Sequence, residues 1–155
     1  GPEKKPMDPP LNAPPPEKKE RGLRGHIKEA KAEEMKEEVQ QLIQLSNSYL
    51  MLKQDKLQQL VRQGQALVSP DTGNVRVDVA GFLQPSDHIT INCDGMTKNR
   101  IQVQVQTSTA DGDPMAVNAL YQMLPTGLNY NAQTVISVPS KGLQITINTL
   151  NYQRQ

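Results

Sequence analysis

Two periods of apolar residues divide the chain. From His26 to about Gln63 there is no proline or glycine, and from Val39 onward apolar residues recur with a period near 3.6, as on one face of an α-helix. After a cluster of turn-forming residues, Ser69 to Asn74, apolar and polar residues alternate, as they do along β-strands. The pattern therefore predicts an α+β chain in which a long N-terminal helix precedes an antiparallel β domain.

The predicted helix covers residues 26–64 and has two unlike halves. Charged residues fill most positions from Lys28 to Glu38, which favours a solvated surface. The second half carries an apolar stripe that we expect to be an interaction face: Val39, Leu42, Leu45, Tyr49, Leu50, Leu57, Leu60 and Val61. Three surfaces could pack against this stripe. They are a second copy of the chain in a coiled-coil stalk with a stutter, the chain's own C-terminal domain, and the helix of a partner protein.

Residues 67–155 are expected to form an antiparallel β-sandwich. Alternating runs begin at Val75, Ile89, Ile101, Tyr130 and Leu143, and turn-forming residues separate them. Residues 115–124 fit a helix by composition, but their apolar positions alternate, so we predict a strand. These runs make about six or seven short strands, which is typical of a β-sandwich.

The segment Leu124-Pro125-Thr126-Gly127-Leu128-Asn129-Tyr130 supports the same fold class. It resembles the corner before the sixth strand of fibronectin-like and immunoglobulin-like sandwiches, in which a tyrosine hydroxyl bonds back to the upstream backbone. The resemblance implies an immunoglobulin/fibronectin-like sandwich. It implies no particular function, because the buried tryptophan and paired cysteines of antibody domains are absent.

Glutamine occupies one side of the run from Arg100 to Ser108. Gln102, Gln104 and Gln106 alternate with branched apolar residues that we expect in the core. The glutamines therefore face outward. Their neutral amides could hydrogen-bond a partner protein, a neighbouring subunit or a glycan, so they form a predicted partner-facing strand surface.

The beginning of the chain has a different composition. Seven of the 12 prolines lie in the first sixteen residues, where apolar residues able to build a core are nearly absent. Such a segment buries too little apolar surface to offset the entropy of ordering it. We therefore expect residues 1–25 to form a disordered, proline-rich tether.

Charge and composition narrow the choice of partners. The net charge of +1 is too small to attract nucleic acid, and the aromatic residues are too few for a base-stacking surface. No apolar run has the roughly 18 residues of a membrane span. Whether a signal peptide or lipid anchor lies upstream of Gly1 is an open question at this point. Cys93 is the single cysteine, so no internal disulfide can form.

Chemistry-bearing residues are sparse. His88 and Cys93 fall on opposite faces of one predicted strand, which disfavours a thiolate and imidazole pair. Asp94 and the Asp111-Gly112-Asp113 segment fit turns better than a cation site. We predict no catalytic, cofactor or metal site and no enzymatic activity.

The predicted elements favour a non-enzymatic structural, assembly or display module. In this hypothesis a tethered helical stalk presents a β-sandwich that binds partner proteins, and the helix makes a homo-oligomer. One alternative is a sandwich that binds a glycan or peptide, for which Tyr121, Tyr130 and Tyr152 are the available aromatics. Another is a subunit of a larger envelope or secretion machine docked through its helix. A stalk and head suit the cell envelope or a secreted protein, with the cytoplasm as the alternative.

Overall fold

The computed structural model describes residues 26–149 of the chain. The tether expected over residues 1–25 lies outside the described residues, as does the segment 150–155 with Tyr152. The chain divides into two compact units, residues 1–40 and 41–155. In the described part of the first unit the chain is helical, and the side chains from Ala30 to Glu37 are exposed.

Two helices replace the single helix expected over residues 26–64. Helix α1 spans His26–Leu50, and helix α2 spans Gln54–Arg62. Between them Lys53 has an extended backbone, with φ −87° and ψ 164°. The prediction of one continuous helix is wrong because it used local helix propensity alone, and contacts with distant residues decide the conformation of this segment.

Arg100 supplies the main contact at the end of α1. One guanidinium nitrogen donates a hydrogen bond of 3.1 Å to the carbonyl oxygen of Leu50, and the other donates to the carbonyl of Leu52. The last carbonyls of a helix have no partner inside the helix, and a cation also suits the negative end of the helix dipole. Leu52 is only 4% exposed, so the break also buries an apolar side chain.

A Schellman motif ends α2. The Gly64 amide donates to the Val61 carbonyl, and the Gln65 amide donates to the Leu60 carbonyl. Gly64 has φ +79°, a left-handed conformation that glycine adopts without a steric penalty. Residue 64, where the predicted helix ends, therefore does follow the end of a helix, although that helix is short.

Seven strands form one antiparallel sheet in the order β1-β2-β3-β4-β5-β6-β7. Each strand pairs with its neighbours in sequence, which makes the sheet a meander. The strands are β1 Ala66–Asp71, β2 Asn74–Ala80, β3 His88–Asp94, β4 Arg100–Ser108, β5 Pro114–Met123, β6 Asn129–Val138 and β7 Leu143–Asn148. Residues 115–124, ambiguous in sequence, thus lie almost wholly in strand β5.

The two helices and the antiparallel sheet make the described chain an α+β fold. The finer expectation of an immunoglobulin-like sandwich is not confirmed, because the described strands form a single sheet in sequential order. The tyrosine corner is also not found. Tyr130 donates its hydroxyl to the Gln122 side chain at 3.3 Å, not to the upstream backbone.

Strand β1 was missed because its sequence looks like a turn. Ser69, Pro70 and Asp71 were assigned to a turn cluster, yet they pair with Arg76, Val75 and Asn74 of β2. Only Thr72 and Gly73 remain between the two strands, both with positive φ. Proline is tolerated here because β1 is an edge strand, where one side of the backbone has no strand to pair with.

The two faces of the sheet have different side chains. Alternate positions on β2 to β6 point to the core, and those buried there are mainly Ile, Val, Met and Ala: Val77, Val79, Ile89, Ile91, Val103, Val105, Met115, Val117, Ala119, Ile136 and Val138. The intervening positions are mostly polar and lie on the opposite face, here called the outer face. The alternation predicted from sequence is confirmed for Ile89 and Ile91 and for Val103 and Val105, whereas Ile101, expected in the same buried row, is 41% exposed.

Much of the apolar stripe of the helices belongs to this core. In the second unit Leu42, Tyr49, Leu50 and Leu60 are buried in the same cluster as the strand residues, and Leu45 and Leu57 pack against it half-buried. Val61 is 38% exposed. Val39, in the first unit, is half-buried. From Leu42 to Leu60 the apolar stripe therefore packs against the chain's own sheet. This packing is one of the three alternatives considered from the sequence.

The contrast between the two faces can be tested on strand β4. Val103 is 1% exposed in the core, whereas its neighbour Gln104 is exposed on the outer face. We expect Val103→Asp to abolish cooperative folding because it buries an unpaired carboxylate, and Gln104→Glu to cost less than about 0.5 kcal/mol. Thermal unfolding followed by far-ultraviolet circular dichroism measures both. Equal losses would show that the register of β4 is wrong.

Candidate functional site

The outer face of the sheet carries rows of polar side chains in register. In the central row each residue is the cross-strand partner of the next, from β2 to β7: Asp78, Thr90, Gln104, Asn118, Val135 and Thr146. Directly opposed side chains on one face are close enough to interact. The meander thus brings residues from six strands into one surface.

A groove of about 450 Å³ lies on this face across β3 to β6. It is lined by His88, Thr90, Gln104, Val105, Gln106, Ala116, Val117, Asn118, Val135 and Ser137. None of these lining residues is Asp, Glu, Lys or Arg. A ligand in this groove would meet hydroxyl and amide groups, each able to donate or accept a hydrogen bond, and small apolar surfaces between them.

The predicted partner-facing strand surface coincides with part of the groove. Gln104 and Gln106 are exposed and line it. Gln102 is half-buried and donates a hydrogen bond of 2.7 Å to the Asn118 side-chain oxygen. The two exposed glutamines are therefore available to a ligand, whereas Gln102 helps to fix Asn118.

A small charged cluster stands beside the groove on β2 and β3. Arg76 donates to Asp78 at 2.9 Å, Thr90 donates to the other carboxylate oxygen at 3.0 Å, and His88 Nε2 lies 3.5 Å from that same oxygen. Burial acts to raise the pKa of Asp78, but the hydrogen bonds from Arg76 and Thr90 outweigh it and hold that pKa below its ordinary value. Asp78 therefore orients the side chains of Arg76 and Thr90.

A second polar cluster is buried on the core face. The Asp87 carboxylate accepts hydrogen bonds from the Tyr49 and Thr107 hydroxyls, both at 2.6 Å, and from the amides of Leu83 and Gln84 at 2.9 and 2.8 Å. Tyr49 is 1% exposed and Asp87 2%. The cluster joins α1 to β4 and to the loop before β3. Because it is shielded from solvent, its role is structural.

The pKa values in this cluster follow from its hydrogen bonds. Burial and the bond to Asp87 raise the pKa of Tyr49 to about 12. Burial would raise the pKa of Asp87 as well, but the donors Thr107, Tyr49, Gln84 and Leu83 together lower it below its ordinary value. At neutral pH the phenol is therefore protonated and the carboxylate is ionised, which is the pairing that the hydrogen bonds require.

Sequence reasoning missed this cluster. The sequence around Asp87, which follows Pro85 and Ser86, is typical of a turn and does not predict a buried carboxylate. Thr107 continues the alternate positions of Val103 and Val105, which predicts a buried hydroxyl that needs a partner. That signal was present in the sequence, but the identity of the partner was not.

The remaining chemistry-bearing residues are separated. Cys93 packs half-buried against the core, where burial raises the pKa of its thiol, and His88 is exposed on the outer face. Asp94 begins the β3–β4 turn, whereas Asp111 and Asp113 lie between β4 and β5 at the opposite end of β4. Among residues 26–149, no three His, Cys, Asp or Glu side chains group as a metal site requires.

The aromatic candidates do not line the groove. Tyr121 packs half-buried against the core, and Tyr130 pairs with Gln122 near one end of the sheet. Within the described part of the chain, no helix is long and apolar enough to cross a membrane.

Comparison of the chain with models of protein families, with curated proteins and with solved structures gave no match.

The pH dependence of stability tests the buried cluster. The lowered pKa of Asp87 means that its contribution to stability is complete above the pKa of an unfolded aspartate, about 4, and is lost as pH falls through the lower folded value. We expect Asp87→Asn to cost about 2 kcal/mol or more at pH 7, because the amide cannot accept all the donors. The cost should shrink as the pH is lowered from 4 towards 2.

Urea unfolding at a series of pH values measures this cost. Asp71→Asn, a change at an exposed carboxylate on β1, is the matched control and should have little effect throughout. A cost for Asp87→Asn that is the same at every pH would contradict an ionised Asp87 at the centre of the cluster.

Proposed function

We propose that this chain is a non-enzymatic binding module that presents the outer face of its sheet to a partner protein. The observation that supports the proposal most directly is the groove on that face, in which neutral hydrogen-bonding side chains from four strands converge. The groove is held in place from the other side, because α1 and α2 bury the opposite face.

The chemistry of the groove favours an extended, uncharged polypeptide segment as the ligand. Gln104, Gln106 and Asn118 can each donate and accept, which matches the alternating N–H and C=O groups of a polypeptide backbone. A charged ligand would lose its hydration without meeting a carboxylate, ammonium or guanidinium group in the lining. The mixed polar and small apolar lining suits side chains such as Ser, Thr, Val and Ala.

A glycan is the alternative ligand, and the structure offers it less support. Small-molecule sites commonly use aromatic rings together with a few polar groups. The groove lining has no phenylalanine, tyrosine or tryptophan, and the nearest aromatic candidate on the outer face is Tyr130, near the end of the sheet.

In this proposal fewer residues of the helix are available to act as a stalk than the sequence alone suggested. The stripe from Leu42 to Leu60 stabilises the module itself, so a coiled-coil stalk or a docking helix would involve residues before Gln41. We propose the cell envelope or a secreted setting as the location, with the cytoplasm as the alternative. The proposed function does not depend on this location.

Peptide selection on the purified chain tests the proposal. We expect linear peptides selected from a random phage-displayed library to bind the wild type. The same peptides should bind the Gln104→Lys/Gln106→Lys double variant at least about tenfold more weakly, because two ammonium groups would then occupy the groove. Biolayer interferometry with the synthetic peptides measures the affinities.

The matched control is Gln58→Lys, which adds the same charge at an exposed position of α2. It should leave binding unchanged. Selected peptides that bind all three proteins equally would rule out the outer face as the site. A glycan array that gives signals sensitive to the double variant, with no such peptides, would favour the glycan alternative.

A further inference from the structure

The outer edge of β7 is chemically different from that of β1. Each is an edge strand of the described sheet, and no described strand pairs beyond either of them. On β7 the Thr149 amide, just past the strand, donates to the Ala132 carbonyl. Because backbone groups alternate in direction along an antiparallel strand, the N–H and C=O groups of Gln144, Thr146 and Asn148 point to the open edge.

Strand β1 cannot offer an equivalent row. The Ala80 amide donates to the Gln65 carbonyl just before β1. By the same alternation Ala66, Val68 and Pro70 point outward from β1. Pro70 has no N–H, so the row is interrupted, which is a common protection of edge strands against pairing with other chains.

Strand β7 lacks this protection. Its sequence, LQITIN, contains no proline, glycine or charged residue, and its pairing with β6 has no bulge. On its core side Leu143, Ile145 and Ile147 are only half-buried. An uncharged, regular edge with a partly covered apolar side favours pairing with another strand.

We propose that β7 pairs antiparallel with β7 of a second copy of this chain, about a two-fold axis at Thr146. In that register Thr146 faces its own copy, and Gln144 faces the copy's Asn148, so all three outward backbone positions gain hydrogen-bond partners. On the core side Ile145 faces the copy's Ile147. The two meanders become one continuous sheet.

The strand's own sequence argues for a second copy as the partner. A two-fold axis at Thr146 places this residue opposite its own copy and pairs the flanking residues symmetrically, which is unfavourable for like charges and favourable for threonine pairs and for amide pairs. From Gln144 to Asn148 every cross-axis pair joins like with like: threonine with threonine, amide with amide, and isoleucine with isoleucine. This pairing is independent of the groove and of the peptide ligand proposed for it.

Sedimentation equilibrium of the full chain, from about 5 to about 200 μM, tests the pairing. We expect a monomer–dimer equilibrium for the wild type. Thr146→Lys should weaken the dimer roughly tenfold or more, because two ammonium groups would face each other across the axis. Gln104→Lys adds the same charge to the same face of a central strand and should leave the dimer unchanged.

A mixed experiment tests the register. Thr146→Lys and Thr146→Glu should each be monomeric alone, and an equimolar mixture should regain the dimer, because opposite charges then meet at the axis. The circular dichroism spectrum and melting temperature of each variant, at monomeric concentrations, verify its fold. A monomeric wild type at about 200 μM would overturn the proposal, as would a Thr146→Lys dimer as strong as the wild type or a mixture that stays monomeric.

Discussion

The Asp87 carboxylate is the point at which the parts of the second unit meet. It accepts hydrogen bonds from α1 through Tyr49, from β4 through Thr107, and from the loop before β3 through two backbone amides. A buried carboxylate is costly unless its oxygens are satisfied, so these partners must be in place together. These hydrogen bonds hold the C-terminal end of α1 in the second unit, where Leu42 and Leu50 are buried, against the sheet.

The packing of the helices on one face of the sheet explains why the two faces differ. Once α1 and α2 occupy the core face, the alternation of side chains leaves a row of polar residues on the other. Because the strands are joined as a meander in near-constant register, Thr90, Gln104 and Asn118 come side by side although they are far apart in sequence. The groove is thus a product of register, and the core residues that fix the register also fix the groove.

The sequence predicts what depends on local pattern. Alternation identified Val103 and Val105 as core residues and Gln104 and Gln106 as outward-facing, and the run from Met115 was correctly predicted as a strand. What failed depended on distant residues. At the break after Leu50 the Arg100 guanidinium satisfies backbone carbonyls, and Pro70 pairs with Val75 at a sheet edge; neither distant relation is visible in a local pattern. The arrangement of the strands could not be predicted in this way, because alternation indicates which residues face the core but not which strands lie side by side.

The meander order has a consequence for how the chain folds. Each strand pairs only with strands adjacent in sequence, so the sheet can grow hairpin by hairpin with short loops to close. The Tyr49 and Thr107 hydroxyls, which both donate to Asp87 and lie 2.8 Å apart, instead bring together residues 58 positions apart. The loop between them is costlier to close, and the contact needs β4 already in place. During synthesis the helices leave the ribosome first, yet the hydrogen-bonded cluster at the end of α1 stays incomplete until β4 supplies Thr107.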